Sequence, residues 1–173
     1  MNSNLRHQPT RMTRDVFITA FGDIYEHSPW AAAGAFESGL TLAADSAVGL
    51  AGLMAAVVDA ADKDVQLALL RAHPDLAGKL ALAGALTEDS AREQASAGLD
   101  QCTAQELERF RALNARYTEQ FGFPFIIAVR GLHRTEILVQ FEARVAHTYA
   151  AEFQEALGQV HRIAALRLMQ RLP

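Results

Sequence analysis

His73 stands directly before Pro74. A proline inside a helix removes a hydrogen bond and clashes with the preceding turn, so the helix reaching Leu70 should finish near Ala72 and leave His73 on a turn. Imidazole titrates near neutrality, which lets a histidine held there take or give a proton. Ser90, Glu93 and Gln94 fall at i, i+3 and i+4, so one helix face would present a hydroxyl, a carboxylate and an amide together. Such a face reads either as solvated surface or as a reader of a ligand rich in donors and acceptors. Arg167 follows Ile163 by four residues, on the stripe Phe153, Ala156, Leu157, Val160, Ile163 and Ala164 that a last helix would turn inward. Either its stem packs while the guanidinium reaches water, or its planar fork meets a buried carboxylate.

Other chemistries have less support. The six histidines include no i, i+4 pair and there is no cysteine cluster, so a metal is not indicated, and His73 with Asp75 alone does not define a coordination sphere. Cys102 lacks a sequence context that names a base and reads as structural. Glycine-rich phosphate loops and nucleophile elbows are absent. Asn114 interrupts the stripe Leu107, Phe110, Tyr117 and Phe121 and reads as a structural amide bonding a nearby backbone group.

The elements that must position these groups are helical. Val16, Phe17, Ala20, Phe21 and Ile24 recur at helical spacing after a Thr13 cap, and Ser28-Pro29-Trp30 starts a second helix that ends near Gly39. Asp45 or Ser46 opens a third helix with Leu50, Leu53, Met54 and Val57 on one face, and a fourth follows Asp62 to Asp64. Thr87 caps a helix stopped by Gly98, and Thr103-x-x-Glu106 is a capping box for one stopped by Gly122. Phe123 to Val129 is apolar around Pro124 but has no second β-like run to pair with, so it reads as an extended linker or short helix across the core. Thr135 starts the next helix, with Ile137, Leu138, Phe141 and Val145 inward, and the last begins near Glu152. The expectation is a single all-α domain of about eight helices over residues 13–173, behind a loose polar tail over residues 1–12.

Composition agrees. Alanine is roughly a fifth of the chain while aromatics are 8%, a balance that favours helices in close approach. At 173 residues about 70% of the unfolded surface can be buried, enough for one core. The net charge of −4 lacks the basic excess that nucleic acid would reward. No apolar stretch approaches the roughly 20 residues needed to cross a bilayer, so no membrane partner is expected. One cysteine cannot staple the fold, which suits a reducing cytoplasm.

Five blocks in order carry a resemblance: Tyr25-Glu26-His27-Ser28-Pro29-Trp30; Leu70-Arg71-Ala72-His73-Pro74-Asp75-Leu76-Ala77; Ser90-x-x-Glu93-Gln94 before Gly98-Leu99; Leu113-Asn114, Tyr117 and Phe121-Gly122-Phe123-Pro124-Phe125; and Ile163-Ala164-x-Leu166-Arg167-Leu168. Together they resemble the 2-oxo-4-hydroxy-4-carboxy-5-ureidoimidazoline (OHCU) decarboxylase family of urate catabolism, over nearly all of the chain from Thr13 to Leu172.

The resemblance implies an all-α homodimer that turns OHCU into (S)-allantoin and carbon dioxide with neither metal nor organic cofactor. It makes His73 the catalytic histidine, Glu93 its carboxylate partner and Arg167 the arginine that meets the substrate. Pro74, Ser90, Gln94 and the backbone of Phe125, Ile126, Ile127, Ala128 and Val129 match the family's remaining ligand contacts. Two departures stand out: Ala33, where a glutamate is common, and the apolar loop Ala81 to Ala85. Rival readings are an enzyme of a related ureide on the same scaffold and an inert helical interaction module in which the three polar residues merely cap and pair.

Overall fold

The computed structural model describes residues 5–78 and 84–173 of the chain. Among them the regular structure is helical and contains no strand, as the periodicity predicts. The α-helices are α1 (Arg14–Phe21), α2 (Trp30–Glu37), α3 (Ala47–Asp59), α4 (Lys63–Arg71), α5 (Glu88–Ser96), α6 (Ala104–Phe121), α7 (Arg134–Arg144) and α8 (Tyr149–Met169). The chain divides into two compact units, Met1–Ala72 with Val160–Pro173, and His73–Gln159.

The first unit is built on small residues. Ala31, Ala32 and Ala35 of α2 are fully buried, and a Cβ on Gly34 would lie 2.6 Å from Cγ1 of Val57 in α3, so only glycine lets the two helices approach this closely. Phe17, Leu50, Met54, Val58 and Leu70 of the same unit are fully buried as well. Ser46 caps α3 by accepting from the Gly49 N–H, leaving the buried Asp45 carboxylate for another task. It accepts from the Thr10 N–H at 2.9 Å and the Thr10 hydroxyl at 2.8 Å. Leu5 is buried and donates its N–H to the Asp45 carbonyl. Residues 5–12, which composition alone makes look loose, therefore carry specific contacts, because one buried carboxylate and one leucine suffice to hold a polar segment.

The second unit is built on aromatic rings. Tyr117 of α6 meets Phe121, Phe123, Phe125 and Phe141, with ring centroids 4.6–5.8 Å apart. Fully burying each such side chain is worth about 1.5–3 kcal/mol. The capping box of Thr103 with Glu106 forms as expected, and Gly98 and Gly122 end their helices at φ of 72° and 73°, the left-handed conformation a stop requires.

Several boundaries differ from expectation: α1 stops at Phe21, before Ile24, and α2 starts at Trp30 with Pro29 as its N-cap. α7 begins at Arg134 because the His133 side chain, not Thr135, caps it. α8 begins at Tyr149, where the Thr148 hydroxyl accepts from the Ala151 N–H, so Glu152 lies inside the helix instead of opening it. Of the apolar loop Ala81 to Ala85, residues 81–83 lie outside the described residues.

Candidate functional site

His73 and Glu93 belong to the second unit, as do Pro74, Ser90, Gln94 and residues 125–129; Arg167 belongs to the first. His73 is 8% exposed and sits where α4 has ended and Pro74 forbids its continuation. The turn that follows is gripped by two buried amides. Gln94 Oε1 accepts the Ala77 N–H at 3.1 Å and its Nε2 donates to the Asp75 carbonyl at 3.4 Å. Asn114 Nδ2 donates to the Leu76 carbonyl at 3.0 Å. Three consecutive residues of the turn are thus bound from α5 and α6, which holds Ala77 at a left-handed φ of 48° that a residue with a Cβ adopts only under constraint. A Cβ on Gly78 would lie 2.5 Å from the Asp75 Cβ, so glycine is needed to close the turn.

The Asn114 amide reaches the Leu76 carbonyl at a cost: its Oδ1 is buried without a hydrogen-bond partner among the described residues, a penalty of about 1–3 kcal/mol. Ser90 and Gln94 are buried and Glu93 is half-buried, so this face of α5 is not solvated surface. Thr87 caps the helix by accepting from the Ser90 N–H, and Glu88 and Asp89 occupy its first turn.

Phe123–Val129 forms an irregular strap in the second unit, and no strand occurs among the described residues. Phe125 to Val129 are all buried, at 1–5% exposure. Their backbone is only partly satisfied. The Ile126 carbonyl accepts from Arg144 Nη1 at 2.8 Å, the Ala128 N–H donates to Gln159 Oε1 at 2.9 Å, and the Val129 carbonyl accepts from the Leu132 N–H at 3.0 Å. Neither the N–H nor the carbonyl of Ile127 bonds to any described residue, and the same holds for Phe125. Buried peptide groups are nearly always paired, so such a residue is a place where a ligand or water belongs.

In the first unit Arg167 and Glu26, both 3% exposed at the side chain, pair at 3.2 Å through Nη2 and Oε2. The fork aimed at a buried carboxylate is the reading that holds, and the carboxylate is 141 residues away in sequence. The residue before it, Tyr25, bonds His161 Nδ1 at 2.7 Å, and His161 Nε2 bonds the Asp59 carboxylate at 3.0 Å. Burial and the Asp59 charge push the Tyr25 phenol well above its ordinary value, so it keeps its proton.

Cys102, half-buried, lines a cavity of about 330 Å³ with Ala77, Leu86, Leu99 and Leu107 and with the polar Gln94 and Asp100. Burial and the Glu106 charge push its thiol up, which suits a structural role better than a nucleophilic one. Among the described residues no group of three or more His, Cys, Asp or Glu side chains could hold a metal ion.

Sequence reasoning missed one cluster. Arg144 and Glu152 are buried and paired in the second unit, with Tyr117 and His147 on the same carboxylate. A signal was available: Arg144 lies seven residues beyond Ile137, and Glu152 lies four before Ala156, so both fall on inward stripes of their helices.

The chain matches a sequence model of the family described as OHCU decarboxylase over residues 10–169. It is 43% identical over 164 residues to a Haloferax volcanii protein named 2-oxo-4-hydroxy-4-carboxy-5-ureidoimidazoline decarboxylase, covering 95% of this chain and 94% of that one. It is also 43% identical over 155 residues to a protein of the same name from Halalkalicoccus jeotgali, covering 90% and 84%. Its fold is similar to a crystal structure of (S)-allantoin synthase, with a TM-score of 0.75 and 36% identity over 95% of this chain. The chain spans about half of that solved protein, 52% of its length.

Proposed function

Because the chain belongs to the OHCU decarboxylase family, we propose that His73, Glu93 and Arg167 carry out the decarboxylation of OHCU to (S)-allantoin in urate degradation. The chain is a carboxy-lyase acting on a small ureidoimidazoline.

The reaction breaks the bond to the substrate carboxylate. Its electron pair passes into the conjugated imine and carbonyl system of the substrate, carbon dioxide leaves, and a proton must then reach one face of the product. His73 is the group to move that proton, as its side chain is the kind that titrates near working pH; general acid–base catalysis of this type contributes about 10²- to 10⁴-fold. Delivery to one face makes one enantiomer. Glu93 orients the imidazole or favours its charged form. Arg167 orients anionic or carbonyl oxygens of the substrate, and Glu26 on its Nη2 tempers that grip. An arginine that held the leaving carboxylate too tightly would stabilise the ground state and slow the step.

One observation supports the residue assignment above the others: a fully buried strap in which Ile127 offers an N–H and a carbonyl to nothing in the described protein. A ureido-imidazoline edge carries the complementary acceptor and donor groups. Pro74, Ser90 and Gln94 complete the ligand contacts. Gln94 comes with its amide already oriented by the turn, one N–H still able to reach substrate. The same reading makes the enzyme a cytoplasmic homodimer, which sedimentation at micromolar concentration checks.

The direct experiment generates OHCU with urate oxidase and hydroxyisourate hydrolase and follows allantoin by circular dichroism. The wild-type chain should speed the decay and make the product chiral. His73→Asn should lose about 10²- to 10⁴-fold in kcat with its melting temperature unchanged. Full production of chiral allantoin by that variant would remove His73 from the role.

A further inference from the structure

The proposed chemistry leaves a buried ion pair without a task. Arg144 and Glu152 are 6% and 0% exposed. Arg144 donates to Glu152 Oε1 through Nε at 2.9 Å and through Nη2 at 2.5 Å. The Tyr117 hydroxyl closes on the same oxygen, and His147 Nδ1 bonds Oε2 at 2.8 Å. Replacing a buried pair by apolar residues of similar volume is often neutral or stabilising, so stability alone gives little reason to keep this one.

What the pair does with its remaining arm is specific. Arg144 Nη1 donates to the Ile126 carbonyl, and the guanidinium carbon lies 4.4 Å over the Phe125 ring, which stacks on Phe141 at 3.8 Å and 11°. A lysine in this place could neutralise Glu152 but could not reach the strap as well, because an ammonium is a point charge and not a rigid fork. Glu152 aims the fork, Tyr117 and His147 hold Glu152, and the fork takes one peptide carbonyl. Two residues on, Gln159 takes the Ala128 N–H and is itself oriented by Glu155 at 2.8 Å.

We infer that Arg144 and Glu152 are positioning residues for substrate binding: with Gln159 they tie down the peptide groups on either side of Ile127 and so present the Ile127 N–H and carbonyl to the ureido-imidazoline. The inference rests on the strap reading proposed above. It assigns the network to recognition and not to proton transfer, since none of its groups would touch the reacting atoms.

Two variants test it, Arg144→Lys and Gln159→Met, in the coupled circular-dichroism assay together with the melting-temperature rise caused by (S)-allantoin. Arg144→Lys should raise KM about tenfold or more while kcat stays within about threefold, the signature of lost uniform binding, and the allantoin-induced rise should shrink with it. Gln159→Met, at a half-buried position, should raise KM about three- to fivefold with an unchanged melting temperature. Folded variants with wild-type KM, or with kcat reduced and KM unmoved, overturn the inference. Should Arg144→Lys fail to fold, Gln159→Met decides: a raised KM supports the assignment and a wild-type KM ends it. A wild-type chain that neither speeds OHCU decay nor responds to (S)-allantoin would refute the functional reading itself, visibly before any variant is compared, and would take this inference with it.

Discussion

The turn after His73 and the strap Phe123–Val129 are both short and irregular, yet a charged group takes part in holding only one of them. The turn is gripped by two neutral amides, Gln94 and Asn114, at three successive residues. The strap is gripped by a charged fork, Arg144 on the Ile126 carbonyl, backed by a buried carboxylate, and by one neutral amide, Gln159 on the Ala128 N–H. A hydrogen bond to a charged group contributes about 1.5–3 kcal/mol against about 0.5–1.5 for each neutral one, so the single charged bond of the strap is comparable to the three neutral bonds of the turn together. The turn has the anchor that does not titrate. Under the proposed role of His73, supports without charge keep the turn's geometry independent of the histidine's protonation. The strap presents backbone groups that never change charge, and it can rest on an ion pair.

The contrast can be broken most decisively at Glu152. Glu152→Ala leaves the Arg144 guanidinium buried without its carboxylate and should cost about 3–5 kcal/mol in chemical denaturation. A loss under about 1 kcal/mol would mean that the pair anchors nothing. On the other side, Asn114→Leu removes the donor from the Leu76 carbonyl and should cost about 1–2 kcal/mol, the low end of the range because it also removes the unpaired Oδ1. Its kinetic signature should be the reverse of the strap variants, kcat falling further than KM rises. Equal effects on both would make turn and strap one unit.

Alkaline pH sharpens the comparison further. Burial, with the Glu152 hydrogen bond and charge behind it, raises the Tyr117 phenol far above its ordinary value of 10.0, against a smaller lowering by Arg144. A proton held more tightly in the folded state stabilises it fully below the unfolded value and is lost as pH rises beyond. The urea midpoint should therefore fall from about pH 10 upward, and Tyr117→Phe should flatten that fall while costing about 1 kcal/mol at neutrality. An alkaline profile identical in the two proteins would contradict the assignment.

The smallest effect serves as a control. α6 carries both Asn114 and Tyr117, so Thr103→Ala, which removes its cap, should cost about 1 kcal/mol and leave kcat and KM where they were. A change in either parameter would show that stability and site geometry are not separable here.

Much of this arrangement is legible in the chain itself. Ser46, Thr87 and Thr103 announce helix starts, and Gly98 and Gly122 announce stops, because a cap is made by residues two or three positions apart. Pro74 announces the junction at His73 for the same local reason. Residues 5–12 were harder to read, since their hold depends on Asp45, 35 positions beyond Thr10. Arg144 and Glu152 lie on inward stripes, which marks each as unusual without saying that each is the other's partner or that the third arm of the fork reaches Ile126. The buried faces of Ser90 and Gln94 show the same limit: spacing aligns them, and only packing decides that water is kept away.

The amino-acid order by itself thus determined the helices, their apolar faces, the break before Pro74 and the family pattern, because each is decided by neighbours within about one helical turn. The tertiary structure alone decided which carboxylate meets which arginine, Glu26 for Arg167 and Glu152 for Arg144, and which peptide groups of the strap bond to side chains. A hydrogen bond spanning 141 residues has no local signature; it exists only where packing brings a donor to its acceptor and excludes water from both.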